Sequence, residues 1–386
     1  MADEKKIVAL RGNGNTGSVP LVAAMKNKSM PIFLCFLLSV FFIGVTGMSQ
    51  TGCAELGSQS SQPTEKIGVQ LHGFSPDNRF LSFDLFRGMS CFASLMDLHS
   101  GEVTKIIPPD PDEWWTSGTF SPSGKYLAFT VKRKSEKLHW SQLGIYDISK
   151  GTLKSLTHTQ SFKAFPSFSP DEKRLIYSKP ERERESGKTR YGGWDIYELD
   201  IASGQERQLT NYKFYMIGRP FYMPDGKRFI FSGWGRSNYE GTDNKSNPEL
   251  LKAYQKKHKD NTIFILGEEN AELHPAFTNG PSTNGPKISR DGKSISYHAR
   301  SDEMDRAAGE KIGGYTYDIF MLENGKHRRL TKLKKSLDDY TMSPDGSLIA
   351  YTSKPEKDGE IELWLLDVEK DETKRVEIAL KEFFTN

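Results

Sequence analysis

One turn motif recurs six times along the 386-residue chain, and it limits the possible folds more than any other feature. Each copy opens on an aromatic or aliphatic residue. It continues with Ser-Pro-Asp-Gly or a near variant and ends in an alternating apolar run. The copies are Phe74-SPDNRFLSF-Asp84, Phe120-SPSGKYLAF-Thr130, Phe168-SPDEKRLIY-Ser178, Tyr222-MPDGKRFIF-Ser232, Ile288-SRDGKSISY-His298 and Met342-SPDGSLIAY-Thr352. The motif prolines, or their equivalents, stand at 76, 122, 170, 224, 290 and 344. Proline fixes φ at the first corner, aspartate bonds back to the local backbone, and glycine supplies the positive φ that closes the turn. The residues that follow alternate with period two, so each turn feeds a strand.

A second signal trails each copy. Residues 145–151, 194–204 and 317–325 read as a strand ending in a Gly turn, each followed by a short strand that finishes in Leu-Thr at 156–157, 209–210 and 330–331. Residues 95–101 and 363–367 repeat the theme more loosely, and 262–266 fits the fourth unit. Each unit therefore reads as four antiparallel strands. One such unit cannot bury both faces of its sheet. Six of them packed round an axis can, and ring closure protects the edges. The expectation is an all-β fold, a six-bladed β-propeller over 66–386 with four antiparallel strands per blade.

The Ser-Pro-Asp-Gly-Lys turn with its trailing Arg-x-Leu-Thr resembles the WD40-like repeats of TolB-type propellers. Similar repeats occur in the propellers of prolyl-oligopeptidase-type peptidases and of oligogalacturonate lyases. The resemblance covers all six repeats and implies the fold; function is carried by sites grafted on a fold. TolB-type proteins carry an α/β domain ahead of the propeller, for which 54–65 leaves no room. The lyase resemblance implies a metal collected by histidines round the axis, with His72, His274 and His298 nearest to inner-strand entries.

Charge and targeting signals narrow the setting. The chain has 53 Lys and Arg against 50 Asp and Glu. The surplus lies in 1–53, where Lys5, Lys6, Arg11, Lys26 and Lys28 face only Asp3 and Glu4. A neutral body offers no broad footprint for a phosphate backbone, so no nucleic-acid partner is expected. Residues 31–48 form an uncharged apolar run behind Lys26 and Lys28, which reads as a secretory signal or an anchor. Gln50-Thr51-Gly52-Cys53 resembles a lipoprotein signal, making Cys53 the lipidation candidate. The polar stretch 54–65 suits a flexible linker. Gly12, Gly14 and Gly17 match a dinucleotide fingerprint, but no acid occurs between Lys5 and Ala54 to take the ribose.

Candidate chemistry is sparse. Three cysteines, Cys35, Cys53 and Cys91, include no C-x-x-C pair. No G-x-S-x-G, H-E-x-x-H or P-loop occurs, so no catalytic residue, metal or cofactor is expected. Long connections at 179–193, 233–261 and 300–315 point to one face as the carrier of binding. The second holds an expected short helix, with Asn247 as N-cap and Pro248 following. On that face Trp114, Trp115, Tyr212, Phe214, Tyr215, Arg219, His274, Asp338 and Asp339 would form the channel mouth; the alternative is that most of them pack between blades. The reading is an exported, monomeric, non-catalytic propeller that binds a protein or peptide partner in a bacterial envelope. It is periplasmic or anchored facing the periplasm, and touches the membrane only through its N-terminal segment. The rival is an envelope enzyme, such as a polysaccharide lyase or hydrolase, with its site at the channel mouth.

Overall fold

Serine, proline and aspartate shape each turn before any blade packs. In a computed structural model, residues 67–87, 90–133, 140–185, 188–236, 262–267, 273–275, 283–311, 316–333, 336–354 and 361–378 are described. In the first turn, Ser75 Oγ donates to Asp77 Oδ1 at 2.5 Å and accepts the Phe80 N–H at 2.8 Å. Ser169, Ser289 and Ser343 repeat both bonds with Asp171, Asp291 and Asp345 and with the N–H of Arg174, Ser294 and Leu348. The corner after the aspartate position has positive φ in all six copies: Asn78, Gly124, Glu172, Gly226, Gly292 and Gly346, between 59° and 77°. Where glycine is absent, the strained corner is tied to a neighbouring blade. Asn78 Nδ2 donates to Asp345 Oδ2 at 2.6 Å, and the Glu172 carboxylate accepts the N–H and hydroxyl of Ser123.

These turns organise six antiparallel sheets. Blade 1 holds β1 (Ile67–Phe74), β2 (Phe80–Arg87), β3 (Ser90–Asp97) and β4 (Val103–Lys105). Blade 2 holds β5 (Glu113–Phe120), β6 (Tyr126–Arg133), β7 (Gln142–Asp147) and β8 (Thr152–Ser155). Blade 3 holds β9 (Ala164–Phe168), β10 (Arg174–Glu185), β11 (Lys188–Asp200) and β12 (Glu206–Gln208). The innermost strand of blade 4 is split into β13 (Phe214–Ile217) and β14 (Phe221–Tyr222); β15 (Arg228–Arg236), β16 (Thr262–Gly267) and β17 (Leu273–Pro275) follow. Blade 5 holds β18 (Thr283–Ile288), β19 (Ser294–Arg300), β20 (Tyr317–Glu323) and β21 (Lys326–Arg329). Blade 6 holds β22 (Ser336–Met342), β23 (Leu348–Lys354), β24 (Glu362–Asp367) and β25 (Glu372–Val376). The architecture is the six-bladed propeller expected, and a single bridge, Trp194 to Phe214, links the sheets of blades 3 and 4.

The Leu-Thr signal has a bonding explanation. Thr157, Thr210 and Thr331 each accept the N–H of a third-strand residue, Leu143, Ile196 and Ile319, at 2.9 to 3.0 Å. Their hydroxyls donate to Gln142, Asp195 and Asp318. One threonine thus pins the outermost strand to its neighbour after the ladder ends.

Apolar clusters fill the spaces between blades. Trp115, Phe129 and Val131 of blade 2 meet Ala93 and Ile106 of blade 1. Ala128 and Leu143 meet Phe168, Tyr177 and Leu199. Ile230 and Ile263 meet Ile295 and Tyr297, and Ile319 and Met321 meet Tyr340, Ile349 and Tyr351. The ring closes where Val69, Leu71 and Leu85 meet Ala350, Leu363 and Leu365.

The long connections take forms that loop length alone did not indicate. The charged 179–193 segment is a hairpin: β10 and β11 pair from Arg174–Asp200 out to Glu185–Lys188. The 300–315 connection holds a short helix, α1 (Asp302–Ala307). Arg300 and Arg306 pair with Asp302, and Arg329 reaches Asp305 and Asp318. These bonds fasten α1 to blade 5. The helix expected near Asn247 lies outside the described residues, as do the apolar run 31–48 and Cys53. Among the described residues no helix is long and apolar enough to cross a membrane.

Three outcomes follow from this packing. A Cβ at Gly292 would meet Pro224 Cγ at 3.0 Å, whereas at Gly226 the nearest atom, Pro170 Cδ, is 3.9 Å away. Both have positive φ, so each Ala variant should lose roughly 1 kcal/mol, with Gly292→Ala losing more; equal losses in denaturant titrations would refute the interlocking of turns. Trp115 is 2% exposed, so Trp115→Ala should cost about 3–5 kcal/mol in the same assay. The Lys293 N–H and the Ser289 hydroxyl hold Asp291 down at about 2. A depressed folded-state value stabilises above the ordinary carboxylate range and is lost as pH falls through the folded value. Melting temperature should therefore drop between about pH 4 and pH 2, and Asp291→Asn should flatten that drop.

Candidate functional site

Inner strands of a propeller line its axis, and here they are bulged. The ladder slips in β1 between Leu71 and Gly73, in β5 between Thr116 and Thr119, in β18 between Asn284 and Lys287 and in β22 between Leu337 and Asp339. β9 slips against β10 at the same level, and the break between β13 and β14 is the equivalent in blade 4. Ser117, Phe165 and Gly285 take positive φ there. A bulge re-aims side chains and frees backbone groups. Neighbouring blades use the freed groups: Asp84 accepts the Ser117 N–H at 3.0 Å, Thr130 accepts the Phe165 N–H at 3.3 Å, and Ser178 donates to Gly218 O at 3.0 Å. Asp339 accepts the Leu71 N–H at 2.8 Å across the closing seam.

The bulges gather a charged cluster in the channel. His72 Nε2 lies 2.8 Å from Asp84 Oδ2, and both side chains are buried. The Arg219 guanidinium bonds to His72 O and Nδ1 and to Ser117 O at 3.3 to 3.4 Å, and lies over the Phe165 ring. Burial pulls Arg219 down to about 10 against the pull of Asp84 and Asp339. Burial pushes the Asp339 carboxyl up, with Lys287 and His72 opposing. Lys132 and Cys91 lie beside Asp84; burial lowers the amine and raises the thiol. His298 is forced down to about 3 by burial and by Lys287, so it is neutral at physiological pH.

Above this cluster a cavity of about 400 Å³ opens on the face of the Ser-Pro-Asp-Gly turns. Three rings line it, with one residue per blade in each. At the rim are the five motif prolines and Arg290. Below them is a largely aromatic and aliphatic collar that includes Phe74, Phe120, Phe168 and Tyr222. The lowest ring is Gly73, Thr119, Ser167, Phe221, Lys287 and Thr341. Arg290 takes the place of a sixth proline, and its guanidinium donates to Pro122 O at 3.0 Å, from blade 5 to blade 2. A second cavity, of about 380 Å³, lies beside the 188–200 strand, lined by Phe162, Lys179, Glu181, Tyr191 and Tyr197.

Of the residues singled out in the sequence, the structure brings Arg219 and Asp339 together in the channel. Asp338 is half-buried beside Asp339 in β22. Trp115 and Phe214 are core residues: Trp115 packs on Phe129 and Tyr146, and Phe214 on Phe231 and Phe264. Both were expected at a mouth, but the strand pleat turns Trp115 between blades 1 and 2 and Phe214 onto the neighbouring strands of blade 4. Trp114 and Tyr212 are half-buried, and the Tyr212 N–H donates to Asp195. Tyr215 lies in β13. His274 stands on β17, the outermost strand of blade 4, opposite Ile265 and away from the axis. Among the described residues no three His, Cys, Asp or Glu side chains are placed to hold a metal ion. Asp84, Lys132, Lys287 and Arg290 went unnoticed in the sequence. Aligning the repeats column by column would have found Asp84, Lys287 and Arg290, because each is charged where the other copies carry mostly uncharged residues.

No family model matches the chain. Among solved structures it is similar to TolB from Acinetobacter baumannii, with a TM-score of 0.53 and 17% identity over 81% of this chain and 63% of that one. It is also similar to an oligogalacturonate lyase in complex with manganese, with a TM-score of 0.51 and 14% identity over 80% of this chain and 78% of that one. Among curated proteins it is 23% identical over 221 residues to the uncharacterized peptidase YuxL of Bacillus subtilis strain 168, covering 54% of this chain. The chain spans 32% of that relative's length, and less than two thirds of the TolB chain. At these identities the likeness is one of fold: the chain is a six-bladed propeller similar in fold to TolB.

Proposed function

We propose that the chain is an exported, non-catalytic binding propeller of a bacterial envelope, and that it takes a protein or peptide partner at the channel mouth. One observation carries the reading. The cavity is built from three rings to which every blade contributes, with an apolar collar over a polar floor. Such a site is concave, largely apolar and preformed, and has a few convergent polar groups. Its size suits a small ligand or the end of a chain rather than a folded domain. The apolar run 31–48, preceded by Lys26 and Lys28, supports export.

Site-specific photocrosslinking in cells tests both parts. A crosslinker at position 170, on the rim, should capture a partner in envelope fractions, whereas one at position 374, on the outer strand β25, should not. Phe120 and Phe221 line the cavity and are half-buried, so Phe120→Ala or Phe221→Ala should weaken capture roughly thirtyfold, as loss of an aromatic anchor does. Capture from position 374 alone, or a chain that stays in the cytoplasm, would overturn the reading.

A further inference from the structure

The cavity has a charge asymmetry that its packing role does not require. Apart from Tyr222, its titratable lining residues are His72, Lys287 and Arg290, and no Asp or Glu lines it. Arg290 is engaged with Pro122. Lys287 is not similarly held: among the described residues no carboxylate lies within 4.0 Å of Nζ. Its neighbours are the faces of Phe221 and Tyr340, at 5.1 and 5.6 Å. An ammonium drawn out of water with no carboxylate in contact keeps much of the penalty of its lost hydration. Lys287 lies at the lowest level of the cavity, beneath an apolar collar.

Resting on the reading above, we propose that Lys287 receives the terminal carboxylate of a peptide whose last side chain fills the collar of Phe74, Phe120, Phe168 and Tyr222. A carboxylate accepts a charge-assisted hydrogen bond from an ammonium. An anion also fits the sign of the charge. Among the described residues the cations Lys132, Arg219 and Lys287 face two channel carboxylates, Asp84 and Asp339, and Arg290 adds a positive charge at the rim. Arg219, Asp339 and His298 interact electrostatically with Lys287, the Tyr340 ring lies 5.6 Å from its amine, and His72 and Arg290 line the same cavity. Burial, with help from Arg219 and against Asp339, lowers the Lys287 amine to about 8. An anion binds the protonated amine, so affinity should fall as pH rises through about 8.

The experiment is calorimetry on the full chain in mild detergent with twenty N-acetyl-Ala-Ala-X tripeptide acids, the matching amides, and hexanoate. At least one acid with an apolar last residue should bind one per chain, and its amide should bind at least tenfold more weakly. Affinity at pH 6.5 should exceed that at pH 9.5 at least tenfold. Lys287→Met should abolish the acid-over-amide preference, and Lys287→Arg should keep it. If Lys287→Met fails to fold, the pH profile of the wild type decides alone. Equal affinity for acid and amide, a flat pH profile, or no binding by any of the twenty acids would overturn the proposal. Hexanoate binding as tightly as the best peptide would overturn the chain-end source and leave a small-acid site. Capture from position 170 with no preference for the free acid would leave the binding reading standing while this one falls.

Discussion

A ring whose blades are each built from one continuous stretch of chain has no strand crossing its seam, so side chains must close it. The seam here lies between β22 and β1, and it is held by few groups. Asp339 takes the Leu71 N–H, Asn78 reaches Asp345 from turn to turn, and an apolar cluster lies behind them. The same logic runs round the ring. A bulge in one inner strand exposes backbone groups, and a polar side chain on the second strand of the preceding blade satisfies them, as Asp84, Thr130 and Ser178 do. Buried backbone groups must find partners, so these polar residues are structural before they are anything else.

That dual use explains why the fold was readable in the sequence and the site only partly. Turn chemistry is local: Ser, Pro and Asp act within a few residues, and the threonine of Leu-Thr acts on the adjacent strand. Local chemistry repeats, and repetition is visible. The positive φ of Gly226 and Gly346 was legible for this reason, and the same corner at Asn78 and Glu172 was not, because there a neighbouring blade supplies the restraint. The channel is assembled from residues far apart in sequence. Arg219 and Asp339 were legible as charged residues entering inner strands. Trp115 and Phe214 look the same in sequence, but alternation along the strand turns them into the core. Only the bulge decides which residues face the axis, and no pattern in a single sequence marks it. The 179–193 stretch reads as a charged loop by composition, yet its register sets Glu183 opposite Arg190 and Glu185 opposite Lys188, an arrangement that suits paired strands.

The location of the cavity follows from the same repeat. Binding was expected at the long connections, since variable loops usually carry specificity. The turn motif is nearly invariant, and a ring of identical turns would offer little discrimination. What distinguishes the lining of this cavity is its departures from the repeat. Five prolines and one arginine form the rim; four small residues, Phe221 and Lys287 form the lowest ring. Near-symmetry provides a rigid frame, and two basic residues on one blade break that symmetry.

Charge burial then limits what the channel can be. Replacing a buried ion pair with apolar residues is often neutral or stabilising, whereas a buried charge lacking its partner is strongly unfavourable. His72, Asp84, Arg219 and Asp339 satisfy one another through the bulges, so stability of the ring accounts for them. Lys287 adds to that account only at a distance, through its attraction to Asp339. It closes no seam and bonds to no bulge, and the rings beside it recover only part of what the amine loses on leaving water. Had packing alone shaped this position, Thr or Ser, which fill the same ring in blades 2, 3 and 6, would have sufficed. The surplus cation is the feature that the fold does not need.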